Sequence, residues 1–435
     1  MNNKLLIVFC FCLIPVLPGI SQDHIFYTGS AEVAGLAALN DWSDLSQSFP
    51  GKIYDDLDFG TTLSTRFKLE LRPSDGVSAV LEGSSSFIGG YANPFGRSET
   101  TGLPPDPAYS DASELPGADF NSLFNIDQAW VSYGIKSVDI SMGFIPIGWG
   151  SAWLLNPSDR VNLRSLESFF SDEKGGLPAL TADMALGWNY GLSGYLILTD
   201  TSRSGLPYLE ETRLENLPFG IKAMAFLDGW ELSAGLARET FAEASDVNAD
   251  PSWQREIWAV SDLTGDISSF GITMESALRL SSSERVNEDD WTLQEALEIS
   301  MGISYLIEPI ETEMMAEYIH LGSGASRPED YDVSGFLEGT RLFFAEDYLF
   351  GRLAWTGLPD LTLELATLFN LNDASVLAIP SLEWEIETDI LFTLGWYFSL
   401  GDKTSEFGGD RLLAPGLYWS SWDDSIVSCG MKVYF

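Results

Sequence analysis

The chain has 435 residues, with 64 Asp and Glu against 23 Lys and Arg and a formal net charge of -41. That balance argues against nucleic acid or anionic lipid headgroups as partners held by bulk electrostatic attraction. A hydrophobic content of 45% and an aromatic content of 13% are too high for an acidic disordered chain, so much of the carboxylate must lie where water reaches it.

Residues 1–21 read as a cleaved secretory signal: Lys4 supplies the basic end, 5–17 the apolar stretch, and Gly19 and Ser21 the small residues before Gln22. The apolar run is shorter than the roughly 20 residues of a spanning helix. Cys10 and Cys12 leave with the signal, and Cys429 alone remains, which allows no intramolecular disulfide and no cysteine-based metal site. No later run of about 18 apolar residues occurs, so this chain could cross a membrane only as a closed barrel.

From Tyr27 onward the side chains alternate. Tyr27, Ala31 and Val33 oppose Thr28, Ser30 and Glu32. In 63–72, Leu63, Thr65, Phe67, Leu69 and Leu71 share one face, and Ser64, Arg66, Lys68, Glu70 and Arg72 the other. Such a strand turns its apolar face to a core in a sandwich, or to lipid in a barrel whose lumen takes the charges. The pattern returns at Trp230, Leu232, Ala234 and Leu236 after the hairpin signal Asp228-Gly229, and in 297–305. Glu308-Pro309 reverses the chain into a segment where Glu311, Glu313 and Glu317 share a face; alternation runs again through 390–398.

Connections alternate in length too. Short turns at 73–76, 136–137, 228–229 and 308–309 are separated by long polar stretches at 40–60, 91–122, 150–178, 200–217, 241–252 and 322–335. That asymmetry predicts an all-β, antiparallel transmembrane β-barrel of about 18 strands, with 16 to 20 allowed, short periplasmic turns and long outer loops. Residues 333–357 could form a loop plus one strand or a hairpin, and the stretch from Leu412 to Trp422 is equally open. With no repeat, linker or plug-sized leader, 22–435 reads as a single barrel.

The segment GFIPIGWGSAWLLNPSDRVN, from Gly143, resembles porin-like families, including alginate-export-like barrels, in which a Gly-Arg-Gln strand leads to Trp-Gly and then Asn-Pro-Thr/Ser-Asp. Gly143, Trp149, Gly150, Asn156, Pro157, Ser158 and Asp159 match, whereas Phe144 and Ile145 stand in place of Arg and Gln. The chain also ends in SIVSCGMKVYF, where Val427, Cys429, Met431, Val433 and Phe435 share one face. This resembles the closing strand of bacterial outer-membrane proteins, and implies Val433 and Phe435 as an assembly signal read by the barrel-assembly machinery, with periplasmic chaperones on the way. The resemblance implies an outer-membrane location among lipid and passage of small hydrophilic solutes. The missing Arg-Gln removes any reason to expect the relatives' anionic substrates.

Residues 151–177 form a candidate constriction loop. Asn156 can cap a helix begun at Pro157, with Asp159 in its first turn and Arg160 and Arg164 along it, placing arginines opposite wall carboxylates. Predicted lumen acids Glu32, Glu70, Glu82, Glu231, Glu275, Glu298, Glu311, Glu313 and Glu317 face the bases Arg66, Lys68, Arg72, Lys222, Arg279 and Lys432, which favours cations or neutral solutes. Trp130, Trp149 and Trp153 could stack on sugars, but membrane-interface girdles account for most barrel aromatics.

Catalysis has little to build on. His320 sits near the outer end of its strand beside Glu317, without an accompanying nucleophile. No cofactor is expected. DVNADP at 246–251 starts like a calcium loop, but Pro251 and Ile257 replace the required Gly and Glu, leaving only opportunistic Ca²⁺ at acidic loops. SEFGGD at 405–410 matches a trimeric-porin constriction motif in the wrong part of the chain and reads as coincidence. The alternative to a channel is a non-conducting structural or adhesive surface barrel, with a barrel hydrolase behind it; oligomeric state is open.

Overall fold

The computed structural model describes residues 25–39, 58–74, 76–90, 121–161, 175–199, 216–243, 252–282, 292–332, 343–402, 405–408, 410–414, 417–420 and 425–435. The expected signal, Arg164 and the 246–251 motif lie outside them.

In chain order the strands are β1 (Ile25–Leu39), β2 (Asp58–Ser74), β3 (Val77–Gly90), β4 (Asn121–Ile135), β5 (Val138–Ile145), β6 (Leu177–Ala185), β7 (Tyr190–Ile197), β8 (Phe219–Leu227), β9 (Trp230–Glu243) and β10 (Ser252–Ile267). They continue with β11 (Phe270–Ser282), β12 (Leu297–Ile307), β13 (Thr312–Leu321), β14 (Asp347–Leu358), β15 (Leu361–Asn370), β16 (Val376–Glu387), β17 (Ile390–Leu400), β18 (Asp410–Ala414), β19 (Leu417–Ser420) and β20 (Ser425–Tyr434). Each barrel strand pairs antiparallel with its neighbours, and β20 pairs with both β17 and β1, so 18 strands close on themselves. Closure leaves no open sheet edge. At the seam Gly29 and Phe435 exchange two backbone hydrogen bonds of 2.9 Å.

The two open sequence readings are settled. One strand, β14, follows the 322–346 loop, and β18 with β19 makes a separate two-stranded hairpin between β17 and β20. The tight turns all lie at one end, several with a left-handed residue such as Lys136 at φ 58° or Asp228 at φ 49°. The long connections lie at the other end, except that 371–375 joins β15 to β16 in a short loop.

Sequence parity becomes sidedness. Leu63, Phe67, Ile221, Leu236, Met274, Met301, Leu353, Trp396 and Met431 are exposed on the outer face. Their neighbours of opposite parity, such as Glu82, Ser233, Glu275 and Glu317, are buried inside. An apolar outer face on a closed barrel is the arrangement lipid requires.

Two apolar clusters also occupy the interior. One joins Ile145, Tyr195, Ala237, Trp258 and Ala277 of the wall to Ile147, Trp149 and Val161 of the β5–β6 connection. The other joins Ile319, Tyr348, Phe350, Leu368 and Leu377 of β13–β16 to Leu154 and Leu155, to Tyr331 and Phe344, and to Phe407. Among the described residues, the interior therefore holds chain from three connections.

Candidate functional site: a latched segment inside the barrel

The connection after β5 gains burial of its apolar residues by entering the barrel, and once inside its irregular backbone needs partners. Residues 147–161 cross the inner wall from β5 as far as β13 and turn back. Two wall glutamates receive the backbone. Glu275 on β11 accepts the N–H of Ser151, of Ala152 at 2.5 Å and of Ser158 at 3.3 Å, and the Ser158 hydroxyl donates to it at 2.8 Å. Glu317 on β13 accepts the N–H groups of Trp153 at 2.6 Å, Leu154 at 3.2 Å and Leu155 at 3.4 Å. A carboxylate gathering several N–H donors offsets much of its own desolvation. Gly150 permits the approach: its φ is +98°, and a Cβ there would fall 2.5 Å from the Glu275 carboxylate.

Arg160 fixes the return limb. It donates to Glu239 at 3.0 Å and to Glu298 at 2.5 Å, and its guanidinium lies 3.8 Å over the Trp258 ring. At 1% exposure it faces no water. Arg160 thus stands opposite wall carboxylates, as the sequence expects, but covered by an indole and shut away from water rather than open to it. Asp159 is likewise buried, and Glu317 is an acceptor for backbone rather than a free lumen charge. No helix begins at Pro157 among the described residues; the Asp159 N–H closes a turn onto the Asn156 carbonyl at 3.0 Å.

The remaining predicted residues separate into two groups. On β2, Arg66 lies 3.6 Å from Glu82 and 3.7 Å from Asp127, and Lys68 lies 3.8 Å from Glu82. Glu70 pairs with Arg72 at 2.5 Å near the short-turn end, where Arg72 also lies over Phe26. Glu313 bonds Arg352 at 2.8 Å, and Glu364 holds the other guanidinium nitrogen at 2.7 Å. Glu311 is not on a strand face: it is the left-handed residue closing the turn between β12 and β13. Val433 and Phe435 face outward on the seam, both exposed.

Sequence reasoning missed Glu239, Glu364 and Arg352, though parity with Glu231 would have placed Glu239 inside. It also set aside 405–408, which is buried: Glu406 accepts from Tyr348 at 2.5 Å, Asn370 at 2.7 Å and the Phe344 N–H at 3.2 Å. His320 is on the outer face, with Nδ1 2.9 Å from Asp347 and Nε2 3.9 Å from Glu346. Both ring nitrogens thus face carboxylates rather than a nucleophile. Trp153 is 36% exposed inside the barrel, away from either lipid interface, with Arg352 4.9 Å over its ring.

No family model and no curated protein matches the chain. Among solved structures it is similar to a Salmonella typhi OmpF complex with daunomycin, at 10% identity over 94% of this chain and 97% of that one, TM-score 0.41. It is similar to the same degree to a mutant of Rh. blastica porin, at 10% identity over 94% of this chain and 100% of the other, TM-score 0.41. Likeness this distant bears no weight for function, and the barrel stands on its own strand pairing.

Proposed function

We propose that this chain is an outer-membrane channel for passive diffusion of small hydrophilic solutes, with a preference for cations or neutral molecules. The observation that carries the reading is the state of the inner-wall charges. Lys68 and Glu313 keep 42% and 40% of their side-chain surface exposed on the inside of the barrel, and Arg66, Glu70 and Glu364 about a quarter. Ionised groups left open in this way require water around them, so the interior is wet where they stand.

The latched segment covers the wall from β5 to β13, and the apolar cluster around Tyr348 covers the outer half of β13–β16. Among the described residues, the wall left uncovered is that of β17, β20 and β1–β4. The water path is therefore eccentric, running along Arg66, Lys68, Glu82 and Asp127 with the latched segment opposite as its narrowing element. Val433 and Phe435 at the seam serve as the assembly signal in this reading, and the barrel-assembly machinery and chaperones act only during biogenesis.

The two apolar clusters inside the barrel favour a second reading, a plugged structural or adhesive barrel. Liposome swelling and planar-bilayer recordings separate the two. The channel reading expects sugar-driven swelling and discrete conductance steps, and absence of both from folded protein removes it. Deleting 159–175 is expected to raise single-channel conductance; unchanged conductance in a folded variant defeats the constriction role.

A further inference from the structure

We propose that the space between the latched segment and the short turns of β8–β11 is a binding site for an organic ammonium ion carrying an apolar group. This deepens the cation preference above and rests on the lumen being reached by solutes.

The site is a cavity of about 670 Å³, within the range of small-molecule sites. Its wall follows from strand register. Phe226, Glu231 and Thr264 are direct cross-strand partners on β8, β9 and β10, and form one inward row. The next row, nearer the turns, sets Asp266 opposite Gly271, where the lack of a side chain opens the space. The latched segment closes it from the other side with the Trp153 indole.

The chemistry of this lining selects its ligand. No lysine, arginine or histidine lines the cavity, so Glu231 and Asp266 are not neutralised there. Neither is in an ion pair among the described residues, unlike Asp262 deeper on the same wall, which has Lys222 at 3.8 Å. The cavity therefore presents three carboxylates, Asp228, Glu231 and Asp266, with no base in its lining, next to the rings of Phe226, Trp230 and Trp153, of which Trp153 already carries Arg352 4.9 Å over its ring. A cation is drawn to both, through the carboxylates and through the ring faces, and an apolar substituent on it gains burial against Phe226 and Trp153. An anion gains nothing here.

Benzyltrimethylammonium is the probe, with tetramethylammonium as the ringless control, applied to full-length barrel in planar bilayers and in calorimetry on detergent-solubilised protein. Wild type is expected to bind the aryl ion, and to show current block from one side of the bilayer at lower concentration than the control. The E231Q/D266N variant is expected to raise the half-blocking concentration and the Kd about tenfold, and Trp153→Leu to narrow the gap between the two ions. None of the three side chains is fully buried, and unaltered heat-modifiable migration checks folding. No binding by folded wild type, or binding unchanged in E231Q/D266N, overturns the proposal. A barrel that binds the ion yet never conducts keeps the site and defeats the channel reading instead.

Discussion

At the scale of single residues, the interior is decided by where carboxylates find donors. Glu239 and Glu298 are held by one guanidinium, and Arg160 is held by them and by the face of Trp258. Removing one partner of a buried ion group strands the others without water, which costs about 3–5 kcal/mol. Arg160→Met is therefore expected to lower the urea midpoint of the folded barrel and to free the return limb for protease cleavage near Ser158. Arg160→Lys is expected to recover little of that, since an ammonium can neither fork between two carboxylates nor stack flat on an indole. A Met variant with wild-type midpoint and cleavage would show that the latch is held by apolar packing alone.

At the scale of elements, strands and connections differ in how far they can be read from the chain. The period of two in 63–72 needs only local information, because each side chain's face follows from its neighbour's, and β2 is built with that parity. The segment 147–161 has no period. Its conformation depends on Glu275 and Glu317, more than a hundred residues away, and nothing near Ser151 in the sequence announces an acceptor on β11. The same is true of 405–408, where SEFGGD is common turn chemistry locally and yet seats Phe407 among residues of β14–β16. That seat is pH-sensitive. Burial pushes the Glu406 carboxyl up to about 7, with Asp373 nearby adding to the rise and Tyr348, Asn370 and the Phe344 N–H opposing it. A carboxyl raised above its unfolded value favours the protonated folded state, so this contribution is complete below the unfolded carboxylate range and is lost as pH rises through about 7. Protease accessibility around 343–346 and 405–408 is expected to increase between about pH 4.5 and 7 and to level off above that, and Glu406→Gln is expected to remove the step. A step that survives the substitution assigns the titration elsewhere.

At the scale of the whole molecule, the charge excess and the barrel explain each other. A chain of net charge -41 can bury its apolar surface against lipid and leave its carboxylates to the lumen, the loops and the water beyond them. Part of the inner wall is internally paired: Arg66 and Lys68 lie beside Glu82 and Asp127 and balance them, whereas Arg352 lies between Glu313 and Glu364 and leaves one negative charge over. What selectivity remains must come from unpaired carboxylates such as Glu231 and Asp266, and from the acidic surroundings, acting across water rather than by contact. Fields of that kind are screened within about 10 Å at 0.1 M salt and about 3 Å at 1 M. The reversal potential in a tenfold potassium chloride gradient is therefore expected to show cation preference when the concentrated side is near 0.1 M, and to move toward zero when the same ratio is set near 1 M. A preference independent of salt would place the selecting charge in direct contact with the ion, at the narrowest point of the path. A clear anion preference at low salt would mean that Arg66 and Lys68 outweigh the carboxylates along the uncovered wall, and would overturn the cation reading.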